Sequence, residues 1–222
     1  MYIDKKEVLR YLGHKDQYVD DSLDLLIEET IEEIKLYIQP KSTFKIYQVI
    51  KTNDEINLKG TSVIFKGEDI KKHLQDSNKC AVMATTLGNM IESKIKYYQK
   101  INLTKALILD SCATTAIESY TDEIQEKIKE KATEEDLAIT YRYSPGYGDF
   151  SINIQKNIIS ILEANKKIGL TATENYILLP RKSITAIIGF QDKKITRKHP
   201  ACNNCLKYKT CKFVKEGKYC GK

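Results

Sequence analysis

Residues 80–88, Cys-Ala-Val-Met-Ala-Thr-Thr-Leu-Gly, form an apolar and small-residue run that ends on a glycine. A run of that length, bounded in that way, reads as a buried strand. The residues that follow change period: Leu87, Met90, Ile91, Ile95 and Tyr98 recur at the three- and four-residue spacing of one helix face. A buried strand thus feeds directly into an amphipathic helix.

Elements of both kinds surround this pair. Upstream, Leu23, Leu26, Ile27, Ile31, Ile34 and Ile38 mark a helix from Asp20 to Ile38, with Glu28, Glu29, Glu32 and Glu33 opposite and Pro40 closing it. Residues 44–50 (FKIYQVI) and 62–65 (SVIF) predict two short strands. Downstream, Thr104 predicts the cap of another helix, rich in Ala106, Ser111, Ala113 and Ala116 and so able to pack closely. Residues 122–136 are almost wholly charged and predict a solvated helix end or linker. Residues 138–144 (AITYRYS) alternate like a strand until Ser-Pro-Gly-Tyr-Gly-Asp-Phe breaks them. Ile154, Ile158, Ile161 and Leu162 share a helix face that stops at Lys166, Lys167 and Gly169. Residues 176–179 (YILL) and 184–190 (ITAIIGF) predict two strands around a turn at Pro180-Arg181. This mixture predicts an α+β domain over residues 1–190, followed by a small tail, residues 191–222.

The chain has 222 residues, 41% of them hydrophobic, enough for a sizeable core, which excludes disordered, collagen-like and coiled-coil classes. No run approaches the roughly 20 apolar residues of a membrane span, and the N-terminal MYIDKKEVLR lacks the apolar stretch of a secretory signal, so a cytoplasmic protein is expected. The net charge is +6, but residues 191–222 hold ten basic against two acidic side chains, leaving the body near neutral. Arginine is scarce, with Arg10, Arg142, Arg181 and Arg197 beside thirty-two lysines; where Arg stands, its planar fork is a candidate for use.

Two constellations carry chemistry. In Tyr141-Arg-Tyr-Ser-Pro-Gly-Tyr-Gly-Asp149, Pro145 and Gly146 suit the central positions of a type II turn, whose backbone amides can receive an anion. Arg142 can grip a carboxylate with two parallel hydrogen bonds, and a tyrosine face can stack on a ligand ring or cation. In the tail, Cys202-x2-Cys205-x5-Cys211-x8-Cys220 brings four thiols within reach of one zinc ion or one iron–sulfur cluster; the spacing does not choose between them. His199 is a substitute ligand, though Pro200 favours a loop role. Cys80 and Cys112, in apolar stretches, are expected to be small core residues.

Arg142-x-x-x-Gly146-Tyr147 resembles the RxxxGY signature of the activation domain of cobalamin-dependent methionine synthase. Thr173-Glu174-Asn175-Tyr176, then Leu179-Pro180-x-x-Ser183-Ile184-Thr185, resembles that domain's second block, and the helix around Ala116-Ile117-Glu118-Ser119 is similar to the one that offers a glutamate to the ligand. The likeness runs from Ile108 to Phe190. The resemblance implies the fold of that domain and S-adenosylmethionine as ligand. Arg142 would take its carboxylate, backbone amides around Pro145 and Gly146 would help, Tyr147 would wall the site, and Glu118 would accept from the amino group or a ribose hydroxyl. It also implies the function, reactivation of methionine synthase by reductive methylation of cob(II)alamin, as a methyltransferase component of methionine biosynthesis.

Three departures qualify the match. Residues 1–100 lack an obvious counterpart, few aromatics follow the second block, and no Asp-x-His-x-x-Gly cobalamin motif occurs. The implied partner is therefore a separate cobalamin-binding methionine synthase chain, with an electron donor such as a flavodoxin or ferredoxin, and this chain a free-standing activation domain. A competing expectation is a cysteine-rich zinc module binding nucleic acid or protein, suggested by the basic tail and by Tyr208, Phe213 and Tyr219 in it; the near-neutral body argues against nucleic acid. An ordinary methyltransferase would show a Gly-rich loop after an early strand, whereas Gly146-Tyr147-Gly148 lies late in the chain.

Overall fold

The computed structural model describes residues 1–14 and 18–195. The elements in chain order are α1 (Lys5–Tyr11), α2 (Asp21–Ile34), β1 (Lys41–Lys51), β2 (Glu55–Leu58), β3 (Ile64–Lys66), α3 (Glu68–Leu74), β4 (Lys79–Thr86), α4 (Met90–Ile101) and α5 (Leu103–Glu134). There follow β5 (Leu137–Ile139), a 3₁₀ turn (Ile152–Ile154), α6 (Gln155–Leu162), α7 (Ala164–Ile168), β6 (Thr171–Ala172), β7 (Leu178–Leu179) and β8 (Ser183–Asp192).

Six strands form one antiparallel sheet in the order β3-β2-β1-β4-β8-β5, and β6 pairs with β7 in a separate ribbon. β4 lies between β1 and β8 and is covered on both faces. Cys80, Val82 and Ala84 face a core made with Phe65, Ile70, Leu74, Ile158 and Leu162, while Ala81 and Met83 face Ile124, Ile128 and Ala132 of α5. Two-sided burial is why 80–88 carries an unbroken apolar run rather than an alternating one. β8 is used in the same way, with Ile187 on the first face and Ala186, Ile188 and Phe190 on the second.

α5, about 48 Å long at ~1.5 Å per residue, joins two cores. Its first half, with Ile108, Leu109, Cys112, Ala113 and Ala116, packs against α1, α2 and α4; its second half lies on the sheet. The charged stretch 122–136 is thus the helix's second half, solvated on one side and keeping Ile124, Ile128 and Ala132 buried on the other. Cap residues differ from expectation at its start: Asn102, with φ −154°, ends α4 and accepts the Lys105 N–H at 3.0 Å, so Thr104 falls inside the first turn.

Several boundaries move for local reasons. α2 is capped by Asp20 and stops at Ile34, after which i→i−3 hydrogen bonds tighten the chain through Tyr37. The helix expected over 154–168 is broken at Glu163, whose φ is +54°, and ends at Gly169 with φ +71°, the left-handed stop expected there. The two strands expected around Pro180 do not pair with each other; β7 pairs with β6, and β8 joins the large sheet and runs to Asp192, past the expected end at 190. α1 and β2 are short elements without a periodic signal. Among the described residues no helix is long and apolar enough to cross a membrane.

Candidate functional site

β5 pairs with β8 in one register and then slips. Leu137, Ala138 and Ile139 face Asp192, Gln191 and Phe190, but Tyr143 pairs with Ile187. Three residues, 140–142, therefore oppose two, 188 and 189, which is a bulge. Thr140 anchors it: its N–H donates to the Gly189 carbonyl at 2.9 Å, and its hydroxyl accepts the Gly189 N–H at 2.8 Å. The extra residue reverses which side chains face which layer. Ile139 packs towards α5, whereas Tyr143 packs on the opposite core, and Arg142 now reaches α5.

There the Arg142 Nη1 donates to Asp122 Oδ1 at 2.6 Å and its Nη2 to Glu118 Oε2 at 3.1 Å. The guanidinium is partly sheltered, at 21% side-chain exposure, against 45% for Glu118 and 54% for Asp122. Two of the expected site residues, Glu118 and Arg142, are thus brought into contact from segments 24 residues apart. Nearby, the Arg10 guanidinium lies 4.4 Å from the centre of the Tyr11 ring and is ion-paired to Glu7 at 2.7 Å. Burial and the negative charge of Glu118 raise the Tyr11 phenol above its usual range. α1 packs against α5, the helix that carries Glu118.

Past Arg142 the expected turn forms. Gly146 has φ +94° behind Pro145, and the Tyr147 N–H donates to the Ser144 carbonyl at 3.3 Å. Its amides are engaged inward, however. The Gly146 N–H goes to the Phe150 carbonyl at 2.7 Å, so with Tyr147 N–H on Ser144 these two are spent within the turn and do not face an anion. The Tyr147 side chain is 55% exposed.

Asp149 fixes the far side of the loop. Its carboxylate accepts the Glu68 N–H at 2.6 Å and the Asp69 N–H at 3.0 Å, and the Asp69 carboxylate accepts the Asp149 N–H at 3.3 Å in return. The start of α3 and the loop cap each other. Behind them His73, buried in α3, stacks at 5.1 Å on Tyr143 and meets Tyr141 edge-on at 4.6 Å, with its Nε2 3.0 Å from the Thr140 hydroxyl. Phe150 stacks on Tyr143 at 6.0 Å and meets Phe65 edge-on at 5.4 Å.

Asp122, Tyr11, Asp69 and His73 have no motif-level signal, although Asp122 lies one helical turn beyond Glu118 on the same face. Cys80 and Cys112 are buried core residues, as expected, and burial pushes both thiols up to about 12. Cys202, Cys205, Cys211, Cys220 and His199 lie outside the described residues. Among the described residues no group of three or more His, Cys, Asp or Glu side chains is placed to hold a metal ion.

The model of the vitamin B12 dependent methionine synthase activation domain matches residues 68–195. That span starts at α3 and contains the whole 142–150 loop. Among solved structures, a crystal structure of the MetH reactivation domain bound to AdoHcy is similar in fold, with a TM-score of 0.64 and 11% identity over 89% of this chain and 72% of that one. The family match thus reaches back to residue 68, into the N-terminal hundred residues where no counterpart was expected, and the structural likeness extends further still. No curated protein matches the chain. With a bulge-directed arginine, the Pro145-Gly146 turn and a family match over more than half its length, this chain belongs to the family of vitamin B12-dependent methionine synthase activation domains.

Proposed function

We propose that the chain binds S-adenosylmethionine beside Arg142 and serves the reactivation of a cobalamin-dependent methionine synthase whose corrinoid is held on a partner chain. The observation that carries this is the meeting of Arg142, three residues before the Pro145-Gly146-Tyr147 turn, with Glu118. The amino-acid end of the ligand carries a carboxylate, an ammonium and a sulfonium, which call for a cation, an anion and an aromatic wall. Arg142, Glu118 and Tyr147 supply them. The inward hydrogen bonds of the turn leave the carboxylate to Arg142 rather than to backbone amides.

The sulfonium is an already activated methyl donor, and the reduced corrinoid on the partner is the acceptor, so the chemistry belongs to those two groups. This chain's residues bind, orient and shield. A donor held in place before the electron arrives converts a rare encounter into a positioned one. Residues 1–190 carry this role in the proposal. Residues 191–222 would form a module in which Cys202, Cys205, Cys211 and Cys220 hold zinc or an iron–sulfur cluster; a cluster would relay the electron from a flavodoxin- or ferredoxin-like donor, and zinc would make the tail a docking element. Metal analysis and a visible spectrum after anaerobic purification separate these.

Calorimetric titration with S-adenosylmethionine tests the binding site. Arg142→Ala removes a charge-assisted contact and is expected to weaken binding by about 2–5 kcal/mol where the site is desolvated. Equal affinity of wild type and variant would remove Arg142 from the site.

A further inference from the structure

Both terminal nitrogens of Arg142 already donate. Nη1 points at Asp122 and Nη2 at Glu118, and these carboxylates stand one turn apart on the same face of α5. A ligand carboxylate that takes the Nη1–Nη2 edge as a two-bond fork competes with both of them for the same nitrogens. Glu118 has a second use in the functional reading, on which this inference rests, as acceptor for the ligand's amino group. Asp122 has none, and its more exposed carboxylate regains water as soon as it lets go. Glu118 meanwhile still anchors the guanidinium, so the fork stays aimed when Asp122 leaves.

We propose that Asp122 sets the affinity of the site: it occupies the Arg142 fork in the ligand-free protein and is exchanged for the ligand's carboxylate on binding. Two properties follow. Arg142 is kept extended and ready rather than loose, and only a ligand bearing its own carboxylate can repay the broken ion pair. An adenosine derivative without that group meets a fork that remains closed.

The test is calorimetric titration of the full chain, as wild type, Asp122→Ala and Asp122→Asn, with S-adenosylmethionine and with its decarboxylated analogue. A partly exposed ion pair is a modest competitor, so Asp122→Ala is expected to bind S-adenosylmethionine about two- to five-fold more tightly, with Asp122→Asn changing in the same direction. The decarboxylated analogue is expected to show no gain with either variant. Unchanged or weaker binding of S-adenosylmethionine by both variants overturns the inference, as does an equal gain for the analogue. If the folded wild type fails to bind S-adenosylmethionine at all, the functional reading falls and this inference with it; binding by the wild type without a gain in the variants overturns this inference alone.

Discussion

Gly148 stands at the tightest point of the site loop. Its φ is +53°, and a Cβ built on it would sit inside the Asp69 carboxylate and 2.7 Å from the Tyr143 hydroxyl. The side chains it would strike are the ones that hold the loop, since Asp69 caps back onto Asp149 and the Tyr143 hydroxyl donates to the Tyr147 carbonyl at 3.2 Å. Gly67 is matched to it across the clamp, with φ +124° and Asp149 Oδ1 2.6 Å from its would-be Cβ. Gly148→Ala combines a left-handed backbone with a clash and is expected to destabilise the fold by about 1–3 kcal/mol. Denaturant unfolding reads this directly; a loss below about 0.5 kcal/mol, within the range of ordinary surface substitutions, would contradict it.

One half-buried carboxylate ties α2, α4 and α5 beside their shared apolar core. Glu33 accepts from Lys105 Nζ at 2.6 Å, Tyr98 Oη at 2.7 Å and Tyr37 Oη at 3.2 Å. Burial pushes its pKa upward, but the Lys105 ion pair and the tyrosine hydroxyls outweigh that and hold it below the usual range. A carboxylate with a depressed native pKa contributes stability that is present above its unfolded pKa and is lost as pH falls through the native one. The melting temperature of the wild type is therefore expected to fall between those two values, and Glu33→Gln to show a flatter profile and a lower melting temperature at neutral pH. Identical profiles would contradict this account. Glu33 is also a place where periodicity alone misleads: it lies among glutamates on the polar side of α2, and only the approach of α4 and α5 shows that it has partners. The same limit governs the site. Strand β4, helix α5 and the Pro145-Gly146 turn are legible because burial and turn chemistry are local in sequence. The bulge at 140–142 is not, since it is a relation between two strands about fifty residues apart, and without it Arg142 would face the wrong layer. The β6–β7 ribbon is hidden for a similar reason: strands of two residues carry no period.

At the scale of the molecule, the sheet and α5 form a frame on which one bulge brings Arg142 to Glu118 and one clamped loop holds Tyr147 against Tyr143. The region before the family match contributes to this frame. α1 and α2 pack on the first half of α5. In the proposed function this frame presents a bound methyl donor to a corrinoid carried on a partner chain. The most direct measurement is reactivation in trans. An oxidised, cobalamin-loaded methionine synthase lacking its own activation region is mixed with this chain, S-adenosylmethionine and an electron source, and methyl transfer activity is followed together with the corrinoid spectrum. Recovery is expected only when this chain and S-adenosylmethionine are both present, and is expected to be lost with Arg142→Ala combined with Tyr147→Ala. Recovery that proceeds equally without this chain, or that survives the double substitution, would contradict the account.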